Sequence, residues 1–414
     1  MEMEKGTNSA PQAEQALEIA ARAGHILLEN GAEISRVEET MERISSHYGV
    51  DRKSFFVLSN GIFTTGHRFA SVEYIPFKGT RLDKVVEINQ LSRDIESGQL
   101  ELPQAESRLE EIGRLPEKSF WEQLAGSAVG SAGFCIIFGG SLPDSLVSLI
   151  AGLLLYVFVL GPGRHMSKML CNICGGAVAS IVCLLCYKLG MGNSLSHMII
   201  GSIIPLIPGV PFTNGIRDLA NEDYIAGATR LLDALLVFFS IALGVSLTFL
   251  ADSRIEGGVI EISTSLSDSH TSALSIQLLS AFIGTLGFSV LFGVPRCHYM
   301  VCGLTATAGW LVYLLMLRLA GVSVVEATAV ATVVVALLSW GLAVLRKCPT
   351  TVFLICGIFP LIPGAGIYWT TYYIVSNQLT MALTSGFTAL KITIAIILGI
   401  IITTLVTPLL HRNR

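Results

Sequence analysis

Charge is scarce in this chain and very unevenly placed. Of 414 residues, 14% are Asp, Glu, Lys or Arg and 52% are hydrophobic, with a mean hydropathy of +0.64. So little charge over the whole chain excludes a wholly soluble protein of ordinary composition and points to a membrane protein. Residues 1–118 carry 14 basic and 20 acidic groups, a formal charge of −6, while the other 296 residues carry 13 and 11. The chain therefore divides near Pro116 into a soluble, mildly acidic domain (13–118, behind a disordered tail at 1–12) and an integral membrane domain. A basic stretch leading into an apolar core is also missing at the start. Glu2, Glu4, Glu14, Glu18 and Glu29 stand there instead, so a cleaved signal peptide is not expected.

Signatures of catalysis are missing too. The chain has no G-x-S-x-G, H-E-x-x-H or phosphate-binding loop, so no enzyme activity is expected. His25 with Glu29, His47 and His67 are the only hints of an active site in the first domain. An i,i+4 His–Glu pair is more often a surface pair than a ligand set. Cysteine is absent before Cys135, which leaves that domain without a redox marker. "CNIC" and "CLLC" (Cys171, Cys174, Cys183, Cys186) would suggest zinc in a soluble protein. On one continuous helix, however, Cys171 and Cys183 stand about 18 Å apart, too far for one ion. No metal and no cofactor are expected.

Long apolar runs are what the chain does have. A spanning helix needs about 20 mostly apolar residues, and ten runs qualify: 120–140, 143–161, 168–188, 195–213, 225–251, 272–293, 298–319, 322–345, 350–374 and 384–410. Two motifs recur in them. "GSAGFCIIFG" (Gly130–Gly139) resembles "GTLGFSVLFG" (Gly284–Gly293), and "PLIPG" occurs at Pro205–Gly209 and Pro360–Gly364. The copies lie 154 and 155 residues apart, in the same order, which argues for duplication. Each copy (119–252 and 272–410) would hold five helices. Because five is odd, the second copy enters from the opposite face, as an inverted repeat. Alternate assignment of the loops puts Arg114, Lys118, Arg164, Lys168, Arg217, Arg296, Arg346, Lys347, Arg412 and Arg414 on one side. Only Lys188, Arg254 and Arg318 fall on the other. The positive-inside rule makes the first side cytoplasmic, with both termini there and a linker at 253–271 outside.

The first domain reads as α+β. Ala13–Leu28 and Glu33–Ser46 have helical spacing on either side of Gly31, and "SFFVLSNGIFTTG" (Ser54–Gly66) reads as a strand or hairpin with "SVEYIPF" as partner. Two charged helices follow, Leu82–Glu96 and Gln104–Ile112.

Several stretches also resemble a known family. "NGAEISRVEETMERI" (Asn30–Ile44), "IIGSIIPLIPGVPFTNGIRDLANEDYIAGATRLLDA" (Ile199–Ala234), "FGVPRCHY" (Phe292–Tyr299), "GWLVYLL" (Gly309–Leu315) and "FPLIPGAGIY" (Phe359–Tyr368) are similar to the threonine/serine exporter family. The likeness runs over most of residues 13–410 and suits the form in which both family membrane parts are fused in one chain. It implies a bacterial inner-membrane exporter of small hydroxy amino acids driven by the proton gradient. Some two-chain relatives are tied instead to dicarboxylate export.

The residues themselves suggest where such a site would lie. A Pro/Gly break at membrane depth frees backbone groups that lipid cannot satisfy, so it must face protein or a watery cavity. The half-helix that starts after it presents unpaired N–H groups, a seat for a substrate carboxylate. The candidates are Pro205, Pro208, Gly209, Thr213 and Asn214 in the first copy, and Pro360, Pro363, Gly364, Tyr368 and Trp369 in the second. A kink that only shapes packing is the alternative. Pro211 suits the first turn of the half-helix. Among ionisable residues, Asp233 is the candidate for proton coupling or ammonium binding. It could instead form a structural i,i+3 pair with Arg230, and Lys391 could meet it across the repeats or snorkel to the surface. Arg217 and Asp218 would gate the path or hold a loop together. Glu326 reads as interfacial, and Arg36, Glu38 and Glu39 have no role assignable from the sequence.

The expectation is a mainly α secondary transporter working by alternating access, with a small-molecule substrate, protons and the lipid bilayer as partners and no nucleic acid. Homo-oligomerisation is left open. A membrane-anchored hydrolase or sensor is the alternative of another class, and it would need neither the duplicated breaks nor Asp233.

Overall fold

The computed structural model describes residues 9–50, 55–65, 70–256 and 273–411. Residues 257–272, His67 and most of the expected tail lie outside these, and the first helix already begins at Ser9.

Helices α1 (Ser9–Glu29) and α2 (Ile34–Ser46) meet at a tight turn where Gly31 takes φ +83°. Val37, Met41 and Ile44 of α2 recur at helical spacing and are fully buried against Ala16, Ala20 and Ala23 of α1. A three-stranded antiparallel sheet follows: β1 (Phe55–Leu58), β2 (Gly61–Thr65) and β3 (Ala70–Tyr74). Leu58 pairs with Gly61, so Ser59 and Asn60 form a two-residue hairpin turn. Helices α3 (Leu82–Glu96) and α4 (Leu102–Gly113) close the same core with Val85, Ile88, Leu109 and Ile112. Pro103 falls in the first turn of α4, where its missing N–H costs nothing.

The rest is helical: α5 (Phe120–Ile137), α6 (Leu142–Leu160), α7 (Lys168–Lys188), α8 (Leu195–Ile203), α9 (Gly209–Ala220), α10 (Tyr224–Glu256), α11 (Leu274–Leu291), α12 (Tyr299–Leu319), α13 (Val324–Arg346), α14 (Thr350–Ile358), α15 (Gly364–Val375) and α16 (Leu379–His411). Among the described residues, seven helices are long and apolar enough to cross a membrane, or up to nine if the bent pairs α8–α9 and α14–α15 each make one span. Ten were expected. The remaining run forms α5, whose Glu122, Gln123, three glycines and two serines make it less apolar than the others.

The contacts come in matching pairs. Helix α5 packs on α6, and α11 on α12; α7 packs on α10, and α13 on α16; α10 meets α15, and α9 meets α16. The first repeated motif explains the crossing of α5 with α11. A Cβ on Gly130 would meet the Phe288 ring at 2.7 Å, and one on Gly284 would meet the Phe134 ring at 3.0 Å. Gly133 lies against the backbone of Gly284, and Gly126 against Gly287. Rising numbers on one helix thus meet falling numbers on the other, so the two run antiparallel. Small residues let the backbones approach, and the phenylalanines stack edge to face at 5.1 Å. The final glycine of each motif, Gly139 (φ +103°) and Gly293 (φ +65°), ends its helix in the left-handed conformation.

Gly293 also marks where the first domain docks. The first-turn N–H groups of Leu82 and Asp83 in α3 donate to the carbonyls of Phe292 and Gly293, at 3.1 and 2.9 Å. One helix start therefore satisfies another helix end. The domain lies on the side where α11 ends and α7, α10 and α12 begin, here called the near side.

Candidate functional site

Both PLIPG copies break their helices in the same way. After a short 3-10 turn (Ile204–Leu206, Phe359–Leu361) the chain bends by 69° at the first break and 51° at the second. At the first, Gly209 N–H donates back to Ile207 and Phe212 N–H to Pro208. Pro211 has no N–H, so Val210 alone in that turn has a donor without a helical carbonyl. At the second, Gly364 N–H donates to Ile362 and Ile367 N–H to Pro363, which leaves the donors of Ala365 and Gly366.

The two breaks touch. Gly209 lies under the ring of Phe359, and a Cβ on Gly364 would meet Ile207 Cδ1 at 3.0 Å. Phe359 is held by Phe134, Phe288 and Phe292 at centroid distances of 5.1, 4.5 and 5.2 Å. An apolar crossing therefore stands between the half-helices.

A cavity lies on either side of that crossing. The near-side one, about 240 Å³, is lined by Pro205, Pro208, Gly209 and Val210, by Lys168 and Asn172 at the start of α7, and by Phe77 and Thr80 of the first domain. A neighbouring space of about 360 Å³ continues it past Lys168, Asn214, Arg230 and Asp233. The far-side cavity, about 270 Å³, is lined by Pro360, Pro363, Ala365 and Gly366, by Thr328 near the start of α13, and by Trp310 and Tyr313. The Trp310 indole N–H donates to Gln277 Oε1 at 3.1 Å, which fixes that wall.

The whole-chain comparisons decide the family. The family described as "Putative threonine/serine exporter" matches residues 18–250, and its second part, described as "Threonine/Serine exporter, ThrE", matches residues 277–406. The chain belongs to the threonine/serine exporter family. A "Threonine/serine exporter" of Corynebacterium glutamicum is 24% identical over 399 residues, covering 93% of this chain and 81% of the relative. A "Probable threonine/serine exporter" of Mycobacterium tuberculosis is 22% identical over 405 residues, 92% of this chain and 75% of the relative. The "Probable succinate transporter subunit YjjP" of Escherichia coli is 24% identical over 234 residues, 55% of this chain and 91% of the relative. No solved structure matches the chain. Family and apolar helices together make this a multi-pass membrane exporter.

Within the exporter, several candidates have different surroundings from those expected. Thr213 is fully buried, and its hydroxyl donates to Gly209 O at 2.8 Å. Asn214 donates to Gly31 O at 2.5 Å, so it serves domain docking. Tyr368 and Trp369 pack among Tyr372, Tyr373 and the α8 core rather than facing the far cavity. The Arg230–Asp233 pair, the alternative to a coupling role for Asp233, does not form. Arg230 reaches across to Asp218 (2.7 Å) and Ala32 O (2.8 Å), while Asp233 pairs with Lys168 at 2.5 Å. Lys391 is exposed, and among the described residues the carboxylate of Asp233 is paired with Lys168 instead.

Arg217 and Asp218 form a latch between the domains rather than a loop clasp. Arg217 pairs with the buried Glu33 at 2.6 Å, and Asp218 accepts the Ile34 N–H at 3.2 Å, capping α2 from another domain. Sequence reasoning missed Lys168, Asn172, Thr328 and Trp310. The basic character of Lys168 at the start of a span was visible, but not its partner 65 residues away. In the first domain, His25 Nδ1 meets Glu73 at 2.8 Å on the surface. Cys183 is buried in α7 beside Ser202.

Proposed function

We propose that the exporter moves threonine or serine outward in exchange for protons, by alternating access between the two cavities. The observation that carries this is the pair of half-helix starts meeting at one apolar crossing with a cavity on each side. Rocking of one five-helix set against the other would open either cavity in turn. Two inverted repeats are supported by the matched helix contacts and by the antiparallel α5–α11 crossing. The basic near side and its charged domain would face the cytoplasm.

The two cavities at the breaks, about 240 and 270 Å³, suit a small solute, since both are below the ~300–1,000 Å³ typical of drug-sized pockets. A carboxylate would find N–H donors at Ala365 and Gly366 on the far side. On the near side Val210 is joined by the Lys168 ammonium. Asp233, paired with Lys168, is the group placed to exchange a proton as that lysine engages the substrate. Everted membrane vesicles test the reading: they should take up labelled threonine when a proton gradient is imposed. No gradient-dependent movement of any amino or dicarboxylic acid would sink it.

A second reading, small dicarboxylates such as succinate, has one observation in its favour. The matched part of the succinate-transporter relative covers the first break, where Lys168 and Arg230 offer two cations near one space. Succinate outcompeting threonine in the same vesicles would favour it.

A further inference from the structure

A second polar cavity, of about 400 Å³, opens at the joint between the first domain and the helices, beside the near-side break cavity, with which it shares Thr80, Tyr156 and Leu291. Its walls carry Lys78, Arg81, Lys84 and Lys118, and its floor is Tyr156, Val290 and Leu291 at the ends of α6 and α11. Two of these cations are already spoken for. Lys78 pairs with Glu29 at 2.5 Å, and Arg81 holds Asp83 through two bonds of 2.9 Å and donates to Pro116 O. The other lining carboxylate, Glu117, reaches Arg164 at 3.8 Å.

Lys84 and Lys118 are different. Among the described residues neither has a carboxylate in ion-pair contact. The Lys84 ammonium donates to Gly113 O at 2.9 Å, and that of Lys118 lies 5.6 Å from the centre of the Tyr299 ring. Burial, then the nearby Arg81, hold the Lys84 pKa below the usual lysine value, against the opposing pull of Glu29 and Asp83. Asn30, Thr80 and Gln123 add polar groups to the same walls.

We propose that this cavity binds a phosphate group, with Lys84 and Lys118 as its counter-charges. The floor lies at the last turns of α6 and α11 and beside the first turn of α5, the level at which lipid headgroups meet apolar helices. Basic pockets at that level take anionic headgroups. A soluble phosphate compound offers the same chemistry, and the test has an arm for each.

The full chain is purified in a neutral detergent, and its melting is followed with phosphatidylglycerol, with phosphatidylcholine or with millimolar glycerol phosphate. The expected result is a rise of about 2–4 °C with the anionic lipid, none with phosphatidylcholine, and loss of the rise in a Lys84→Gln/Lys118→Gln variant. An equal rise with glycerol phosphate, lost in the same variant, would assign the site to a soluble phosphate. Arg346→Gln, an exposed near-side cation outside the cavity, should keep the response. If the double variant is too unstable to melt cleanly, bound phospholipid is counted by native mass spectrometry. Unchanged lipid retention in the variant, or no response to either phosphate, overturns the proposal.

Discussion

The ring of Phe359 lies on the α-carbon of Gly209, so that each helix break is closed by a residue from the other. The ring is boxed in by three other phenylalanines and cannot turn aside. The facing contact, Gly364 with Ile207, ends on the tip of a flexible side chain.

This difference predicts an order of effects. Gly209→Ala should destabilise the exporter by about 1–3 kcal/mol, the usual cost of overpacking, and should slow transport. Gly364→Ala should cost less, because Ile207 can change rotamer. Phe359→Leu added to Gly209→Ala should recover part of the loss. Thermal melting of the three purified variants beside the unmodified chain checks the order. Equal melting of both alanine variants would mean that the two contacts are equally soft.

Asp233 gives a second prediction. It pairs with Lys168 across the near cavity and is 38% exposed, so solvent reaches it. Asp233→Asn should leave insertion normal and abolish dependence on the proton gradient, while substrate exchange at equal pH continues. Lys168→Gln should instead weaken substrate affinity. Vesicle uptake with and without a gradient separates the two. Unchanged gradient dependence in Asp233→Asn removes the residue from the mechanism.

The latch supplies a third. Glu33 is 1% exposed and faces Arg217, with Asp218 and Arg230 beside it. Removing one partner of a buried pair typically costs ~3–5 kcal/mol, because the other charge is stranded. Glu33→Gln should therefore release α2 from α9 and speed hydrogen exchange in Ile34–Ser46. Exchanging the charges, Glu33→Arg with Arg217→Glu, should restore part of the protection. Exchange rates in α2 unmoved by Glu33→Gln would show that the α3–α11 contact alone holds the domain.

What could be read from the sequence was local or repeated. Glycine and proline betray backbone demands wherever they fall, so the PLIPG breaks and the glycine-rich crossing were legible. The α2 helix was legible because its burial follows a fixed period, and the β1–β2 hairpin because its stretch is rich in β-branched and aromatic residues. Pairings between distant residues were not. Asn214 stands next to a break and suggested a substrate contact, but its partner is Gly31 O, 183 residues away. An i,i+3 pair was the alternative for Asp233 and Arg230, but each has its partner on another element. Helical adjacency offers a pair only a few tenths of a kcal/mol, which a buried partner such as Asp218 easily outbids.

The same joint predicts a response to pH. Glu38 of α2 has its pKa raised, first by burial and then by repulsion from Asp223 in the α9–α10 turn, with Glu42 adding to it and the Val57 N–H opposing. Asp223 is also raised by burial, against the pull of Arg230. A carboxyl whose pKa is higher in the docked form takes up a proton on docking. Between its ordinary pKa of 4.5 and the raised value, the docked state therefore holds more protons than the released one, and docking weakens as pH rises through that window. Proteolysis at the α1–α2 turn should accordingly speed up as pH climbs from about 4.5 towards neutrality. Glu38→Gln cannot ionise, so it should flatten this dependence and leave the domain better docked at neutral pH. Cleavage that slows with rising pH in the unmodified chain, or a Gln variant with an unchanged profile, would place the titrating group elsewhere.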